Sequence, residues 1–303
     1  MQWQNAPVRC LRRHQIWAGT FVLLSFGPSA FAAMALPGHS KVILFKQSST
    51  SAPAVALSDV ITSLVQDYQA FTLVYVSTPL LDTLRTRAAE EGIEAVVRDE
   101  YDTFYSNGMT VDARIGTAAS IPGAILSPPY PSGASGAYVV QFIGPILDSW
   151  LEQTKAAGGV AVQYLPFNAW IVGASPAAMT QISKFPFVQF VDQLHSFLKP
   201  GVSTWAGPIS PLQIELVNTP DVSATIQRLR AFSLTDVATS QITATELRVQ
   251  GFFYTQNLKA ILAEPLVFLD APSGLPAPVP SASPIVLSVL FLVLAAVAWS
   301  RLR

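Results

Sequence analysis

The most regular alternation of apolar and polar positions lies between Ala137 and Pro200. Four short apolar segments rich in β-branched and aromatic residues flank two stretches in which apolar residues recur three or four positions apart. Gly158-Gly159 is placed to end the first helical stretch, and Ser175 is placed to cap the second. The order strand, helix, strand, strand, helix, strand predicts a ferredoxin-like module, with an antiparallel four-stranded sheet and two helices on one face.

The same order of elements recurs over residues 212–270, although the two segments share little sequence. Each segment ends with a helix, a proline and a short apolar strand, at Pro186 in the first and at Pro265 in the second. We therefore expect two tandem ferredoxin-like modules, one over residues 137–200 and one over residues 212–270.

Residues 38–116 are predicted to form a separate N-terminal α/β module. The spacing of apolar residues indicates one helix over Val55–Tyr68 and another over Leu80–Glu91. Asn107-Gly108 lies between two short alternating segments, which is a strong signal for a hairpin. The pattern leaves open whether this module is a distant relative of the two that follow.

Proline-rich segments connect the modules. They are predicted to be linkers over residues 117–136 and 201–211, and a stalk over residues 271–284. The predicted fold class is therefore α+β. It comprises tandem βαββαβ modules, an N-terminal α/β module and a C-terminal transmembrane helix.

The N-terminal end carries an apolar segment that is typical of targeting. Residues 1–32 combine an arginine-containing start, an apolar run and the sequence Ala30-Phe31-Ala32, which predicts a secretory signal peptide cleaved after Ala32. A buried or anchoring helix is the alternative, but Phe26-Gly27-Pro28 interrupts the run early. The only cysteine, Cys10, would leave with the signal, so we expect no disulfides in the exported chain.

Residues 285–300 are almost uninterruptedly apolar, and Arg301 and Arg303 follow them. This pattern predicts a transmembrane helix whose C-terminal end lies inside the cell. Together with Pro280 and Pro284, the segment resembles the C-terminal sorting tags of Gram-negative bacteria, of the PEP-CTERM and IPTL-CTERM type. The resemblance implies an exported protein of the cell envelope that is anchored by, or processed at, this helix. An ordinary single-span anchor is the alternative.

The central module carries a second family pattern. The matching residues are Tyr138-Val139-Val140-Gln141-Phe142, Gly144-Pro145, Trp150, Asn168-Ala169-Trp170-Ile171-Val172 and Val188-Gln189-Phe190-Val191, with Tyr101–Gly108 as a lead-in. Over this stretch, roughly a third of the chain, the sequence resembles the N-terminal prodomain of subtilisin-like serine peptidases, of the fervidolysin type. The pattern is mostly apolar and positional.

The resemblance implies a way of binding. In such peptidases the prodomain sheet packs on the protease, and the segment after the last strand lies along the substrate cleft by strand-like pairing. The corresponding segment here is Gln193–Gly201. The contact residues implied by the resemblance are His195, Phe197, Leu198 and Lys199. A further folded module begins where a catalytic domain would follow, which weakens the case for direct inhibition of a protease.

Composition and charge exclude one class of partner. Charged residues make up 12% of the chain. Residues 33–300 contain thirteen lysines and arginines against nineteen acidic residues, and no basic cluster is longer than two residues. Nucleic-acid binding therefore has no electrostatic basis in this sequence.

A search for catalytic chemistry finds no complete site. The glycine-rich settings of a subtilisin-type Asp, His and Ser are absent from the sequence, and Ser135 lies in a linker without a nucleophile elbow. His39 is expected to be solvated, and His195, three residues after Asp192, is expected to be a surface histidine at a strand exit. We expect no catalytic residues, no metal and no cofactor.

Four acidic residues around the predicted hairpin are candidate ligands for calcium, namely Asp99, Glu100, Asp102 and Asp112. Their spacing matches no EF-hand loop, so a solvated hairpin edge is the favoured interpretation. Two hypotheses of function follow. The first is a non-catalytic exported protein that binds a subtilisin-like protease, or a related envelope protein, and inhibits it or assists its folding. The second is a structural or adhesive surface protein displayed through a C-terminal sorting tag.

Overall fold

The computed structural model describes residues 37–46, 53–199 and 208–272. These residues form a mixed α+β structure with three antiparallel four-stranded sheets, one two-stranded hairpin and short helices. Within the described ranges, no helix is long and apolar enough to cross a membrane. The predicted terminal sites fall outside these ranges. They are Ala30 and Ala32 of the signal peptide, and Pro280, Pro284, Arg301 and Arg303 of the sorting tag.

The first module contains four strands and two helices. They are β1 (His39–Phe45), α1 (Pro53–Ala56), β2 (Ser63–Asp67), β3 (Phe71–Ser77), α2 (Leu81–Glu90) and β4 (Ala95–Val97). All strand pairs are antiparallel, in the order β2-β3-β1-β4. The predicted helix around Leu80–Glu91 is confirmed by α2.

The predicted helix over Val55–Tyr68 is wrong. Only the single turn of α1 is helical, and the second half of the segment is β2. The pairing of β2 with β3 shifts register between Leu64 and Gln66, so the neighbouring apolar residues Leu64 and Val65 are both accommodated within the strand. The bulge therefore imitates the irregular apolar spacing of a helix.

A hairpin and a linker connect the first module to the second. The hairpin consists of β5 (Thr103–Ser106) and β6 (Met109–Asp112), and its turn confirms the prediction from Asn107-Gly108. Both turn residues have positive φ, +48° and +77°, as a tight hairpin turn of this kind requires. The one-turn helix α3 (Thr117–Ser120) follows at the start of the predicted linker.

The second module agrees most closely with the order of elements predicted from the sequence. Its elements are β7 (Gly136–Phe142), α4 (Asp148–Ala156), β8 (Val160–Leu165), β9 (Ala169–Ala174), α5 (Pro176–Ile182) and β10 (Val188–Gln193). The strand order is β10-β7-β9-β8, entirely antiparallel. The side chain of Ser175 accepts a hydrogen bond from the backbone N–H of Ala178, so the predicted cap of α5 is confirmed.

The third module repeats this arrangement. Its elements are β11 (Ile209–Val217), α6 (Val222–Phe232), β12 (Ala238–Gln241), β13 (Glu246–Tyr254), α7 (Leu258–Ala263) and β14 (Val267–Pro272). The strand order is β12-β13-β11-β14. The first strand begins within the segment predicted as linker 201–211. When the strands are numbered within each module, all three sheets have the order 2-3-1-4. In each sheet the fourth strand lies beside the first, and the second lies beside the third. The first module is thus a third copy of the same topology.

Each sheet of the first two modules is buried on both faces. In the second module, Val140 and Phe142 pack with Trp150 of α4 and Ile182 of α5. The opposite face carries Val139 and Ile171 and belongs to a cluster that includes Phe104 of the hairpin and Leu216 of the third module. The face of the first sheet that carries Ile43 and Leu73 joins the core of the second module. The modules are therefore packed against one another through apolar residues.

We predict that Gly173 sets the closest approach between the second and third modules. A Cβ atom added there would collide with Cγ1 of Val217. Gly173→Ala should therefore lower the free energy of unfolding by about 1–3 kcal/mol, the usual cost of overpacking. Urea denaturation of the single variants and the double variant with Val217→Ala measures the coupling. An equal cost of Gly173→Ala in both backgrounds would contradict this contact.

Candidate functional site

The predicted partner-binding segment is buried inside the chain. His195, Leu198 and Lys199 expose only 4%, 0% and 1% of their surface, and Phe197 is half-buried. Three of the four residues are thus buried within the described chain, and their contact with a partner stays a prediction. Leu198 belongs to the apolar cluster shared by the second and third modules. Burial of this side chain draws the segment inward, away from any external cleft.

The hairpin holds this segment through hydrogen bonds from two of its side chains to main-chain carbonyl oxygens. The Ser106 hydroxyl donates to the carbonyl oxygen of Leu198 at 2.6 Å, and the Asn107 side-chain amide donates to that of Phe197 at 2.8 Å. A strand-like partner would need such main-chain groups, and here they are already used. The turn that the sequence predicted thus has a second role as a clamp on the segment.

Lys199 joins the second module to the third. Its ammonium donates to the carbonyl oxygens of Leu262 at 2.6 Å and Glu264 at 2.9 Å, near the end of α7. Burial lowers the pKa of Lys199 to about 7, and the charge of Glu264 opposes that shift. The single N–H at Nε of Arg228 is shared between the two oxygens of the Glu264 carboxylate, with 2.9 Å to each. The lysine therefore fastens the chain at the start of the linker between the two modules to the C-terminal end of α7.

His195 is not the surface histidine that the sequence suggested. The backbone N–H of Ser127 donates to Nδ1 at 3.1 Å, and Nε2 lies 3.4 Å from Oδ2 of Asp192. The ring also stacks on Phe197, with 5.5 Å between the ring centroids. Because both ring nitrogens have partners within the chain, neither is free to accept a substrate proton.

Asp192 completes this arrangement. Burial alone would raise the pKa of its carboxyl, but hydrogen bonds from His195 and from the Thr117 hydroxyl outweigh burial and lower it. The Thr117 contact is 2.6 Å long and ties the linker helix α3 to β10. The hydroxyl of Ser127 lies 3.0 Å from that of Ser196 and accepts a hydrogen bond from the Ser196 backbone N–H at 2.9 Å, so it contacts Ser196 and not the histidine ring. The Asp–His pair thus orients the chain, and no nucleophile among the described residues is aligned with it.

A second buried lysine lies where the first module meets the second. Lys41 and Asp102 are both fully buried and form an ion pair at 2.8 Å. The ammonium also donates to the carbonyl oxygen of Ile143 at 2.7 Å and to the side-chain oxygen of Gln189. Burial lowers the pKa of Lys41 to about 8, against the opposing effect of Asp102. These contacts join β1, the lead-in to the hairpin, and two parts of the second module.

The expectation that the acidic residues near the hairpin form a solvated edge is wrong for at least one of them. Asp102 is fully buried, whereas Asp112 forms a bidentate pair with Arg114, at 2.9 and 2.6 Å. Burial would raise the pKa of Asp112, but the hydrogen bonds of Arg114 lower it overall. Among the described residues, no group of three or more His, Cys, Asp or Glu side chains is arranged to hold a metal ion.

Sequence reasoning missed the polar residues that join the modules. Lys41 directly precedes the apolar run of β1, whereas Gln141 in β7 and Gln189 in β10 each stand between two apolar residues. Gln141 donates to the carbonyl oxygens of Thr103 and Phe167, at 2.5 and 3.2 Å. A polar residue next to buried apolar neighbours in a strand was the available signal, because burial requires such a group to find a partner.

The comparisons with known proteins bear on the second module. A family model described as "Domain of unknown function (DUF8729)" matches residues 106–195, from the hairpin turn to His195. It leaves the first and third modules outside the match. No curated protein and no solved structure matches the chain. The comparisons therefore give no activity for the site.

We predict that the Lys41–Asp102 pair is far more important for stability than an exposed pair. Asp102→Asn leaves a buried ammonium without its counter-charge and should cost about 3–5 kcal/mol of unfolding free energy. The matched control is Asp82→Asn, which breaks the exposed pair with Arg85 and should cost at most about 1 kcal/mol. Urea denaturation at pH 7 compares the two variants. Equal costs would contradict the role of Lys41 as a buried charge.

We predict a pH dependence of stability from Lys199. The pKa of this group is lowered on folding, so the unfolded chain binds more protons between about pH 7 and the ordinary lysine value. The free energy of unfolding should therefore rise with pH in this window, by up to about 1.4 kcal/mol per pH unit for one group. Lys199→Met should reduce the slope of unfolding free energy against pH between pH 7 and 8, a range in which Lys41 adds less to that slope. If urea denaturation gave the same slope of unfolding free energy against pH for the wild type and the variant, a contribution of Lys199 would be ruled out.

Proposed function

We propose that this chain is a non-catalytic, exported protein of the cell envelope that acts as a structural or adhesive display unit. The observation that carries the proposal is the burial of the segment 193–199 at the junction of the second and third modules. In a prodomain-type inhibitor this segment would have to be free to enter a protease cleft. The covered segment therefore favours the display hypothesis over the inhibitor hypothesis.

The polar chemistry of the described residues supports a non-catalytic role. Lys41, Lys199 and His195 are all committed to partners within the chain. A cavity of about 460 Å³ lies beside the start of α6, and small side chains provide most of its lining. Its one titratable residue is Asp221, whose carboxylate accepts hydrogen bonds from the backbone and the hydroxyl of Ser135 at 2.9 and 2.8 Å. These contacts offer no acid–base pair for a substrate.

A ferredoxin-like assignment of the three modules is the finer part of the proposal. The shared βαββαβ order and the shared strand order support it. Export by a signal peptide cleaved after Ala32, and attachment through a sorting tag with Pro280, Pro284, Arg301 and Arg303, rest on the sequence pattern alone. Rigid modules on a proline-rich stalk are suited to presentation at a surface.

The exposed sheet face of the third module favours a second candidate function. Pro211 and Phe252 are paired in the sheet and lie on the face opposite the buried Leu212 and Ile214. Phe252 exposes 50% of its surface. In this candidate, a subtilisin-like protease or another envelope protein docks on this face of the third module. The second module, which carries the prodomain resemblance, would then be a spacer.

Cell fractionation tests the display proposal. The full chain should be found in the envelope fraction of a Gram-negative host with a new N-terminus at Ala33, as read by N-terminal sequencing. A variant that ends before residue 271 should be released from the envelope, because it lacks the stalk and the tag. Recovery of both proteins in the same soluble fraction, or an uncleaved N-terminus, would refute export and display.

Protease titration separates the two candidates. The purified full chain should leave the activity of subtilisin-like proteases unchanged at about 10 µM, where a Kd near 1 µM would give nearly complete binding. Phe252→Asp is the matched variant, since it alters only the exposed face. Inhibition that is lost in Phe252→Asp would replace the display proposal by the docking candidate.

A further inference from the structure

The outermost strands of a sheet expose main-chain hydrogen-bonding groups that can pair with another chain. The three sheets have six such strands, which are β2, β4, β8, β10, β12 and β14. All four residues of β12 are exposed, and within the described part of the chain β12 pairs with β13 alone. Its other side therefore offers a free strand edge at the surface of the third module.

Five of the six edges carry features that oppose pairing with another chain. The pairings of β2, β8, β10 and β14 each contain a register shift, and β4 is only three residues long. Charge adds to this at Asp67 of β2, and β14 ends in Pro272. Bulges, short strands, charges and prolines are the usual devices by which proteins protect their edges.

The edge of β12 is also short, with four residues, but it has no bulge, no charge and no proline. Its sequence is Ala-Thr-Ser-Gln, with no charge and no proline. Its pairing with β13 runs from Ala238 to Gln241 without a register shift. The exposed apolar residue Ile242 follows it directly at 39% exposure, and Leu234, at 47% exposure, lies four residues before it. An unprotected edge with apolar flanks is the arrangement expected of a pairing surface.

We propose that β12 pairs antiparallel with β12 of a second copy of this chain, joining the two third-module sheets into one of eight strands. Antiparallel pairing of identical strands about a two-fold axis is self-complementary, so one surface serves both copies. Because β12 carries no charge, the pairing brings no like charges together. In a pair centred on Ser240, which then lies opposite its own copy, Ile242 of each copy lies opposite Ala238 of the other on the same face of the sheet.

The pairing also extends the exposed sheet face. One face of the third sheet carries Pro211, Ala238 and Phe252. Pro211 pairs with Phe252, and Ala238 pairs with Gln250, which in turn pairs with Gln213 on the same face as Pro211. A two-fold pair would place two such faces side by side in a continuous surface. The inference does not depend on the proposed function, since self-association can be measured whatever the protein displays or binds.

Sedimentation velocity of the full chain tests the proposal, with Ser240→Lys as the test variant. This change places two like charges near the two-fold axis and should raise the dimer Kd by about tenfold or more. Ser63→Lys is the matched control, because it adds the same charge at an exposed position of the protected edge β2. The wild type and Ser63→Lys should both sediment as dimers, and Ser240→Lys as a monomer.

The outcomes that would overturn the proposal are equally defined. A wild-type chain that remains monomeric up to about 100 µM would overturn it, because such an affinity is too weak for a specific pair. A dimer that persists equally in Ser240→Lys would show that another surface mediates association. Thermal unfolding must show that Ser240→Lys remains folded, and Gln241→Lys repeats the test from a neighbouring exposed position. Both lysine variants should weaken the dimer if β12 is the interface.

Discussion

A four-stranded sheet with helices on one face leaves the other face uncovered, and this constraint governs how the three modules are assembled. Ile43 and Leu73 on the uncovered face of the first sheet join the core of the second module. There Gly144 approaches the side chains of Leu73 and Tyr68 so closely that a Cβ would not fit. The second sheet is covered in turn by the hairpin and the third module. The open faces of the first and second sheets are therefore both buried against the next part of the chain and not exposed to solvent.

Covering these faces traps polar groups, and the trapped groups then define how the modules fit. Lys41 and Lys199 lie at the two junctions, and desolvation is the main cause of the lowered pKa of each. A buried charge is seldom a source of net stability, because desolvation offsets most of the attraction to its partner. It penalises every packing that leaves it unpaired. We therefore interpret both lysines as determinants of one specific arrangement of modules.

The sequence predicted local features better than contacts between modules. The Asn107-Gly108 turn and the Ser175 cap depend on neighbouring residues, and both were predicted. The helix over Val55–Tyr68 failed because a bulge in β2 imitates helical spacing. The burial of the segment around Leu198 depends on a hydrogen bond from Ser106, across 92 positions of the chain. No local pattern contains such a contact, so the segment was wrongly placed at the surface.

This difference between local and distant contacts changes where the function is to be sought. The resemblance drew attention to the second module, and the family match over residues 106–195 covers mainly that module. Its sheet faces and its tail are nevertheless occupied by other parts of the same chain. The third module keeps both an uncovered face around Phe252 and an unprotected edge at β12. Since recognition requires groups that are not already paired, the third module is the part of the described chain best suited to meet another protein.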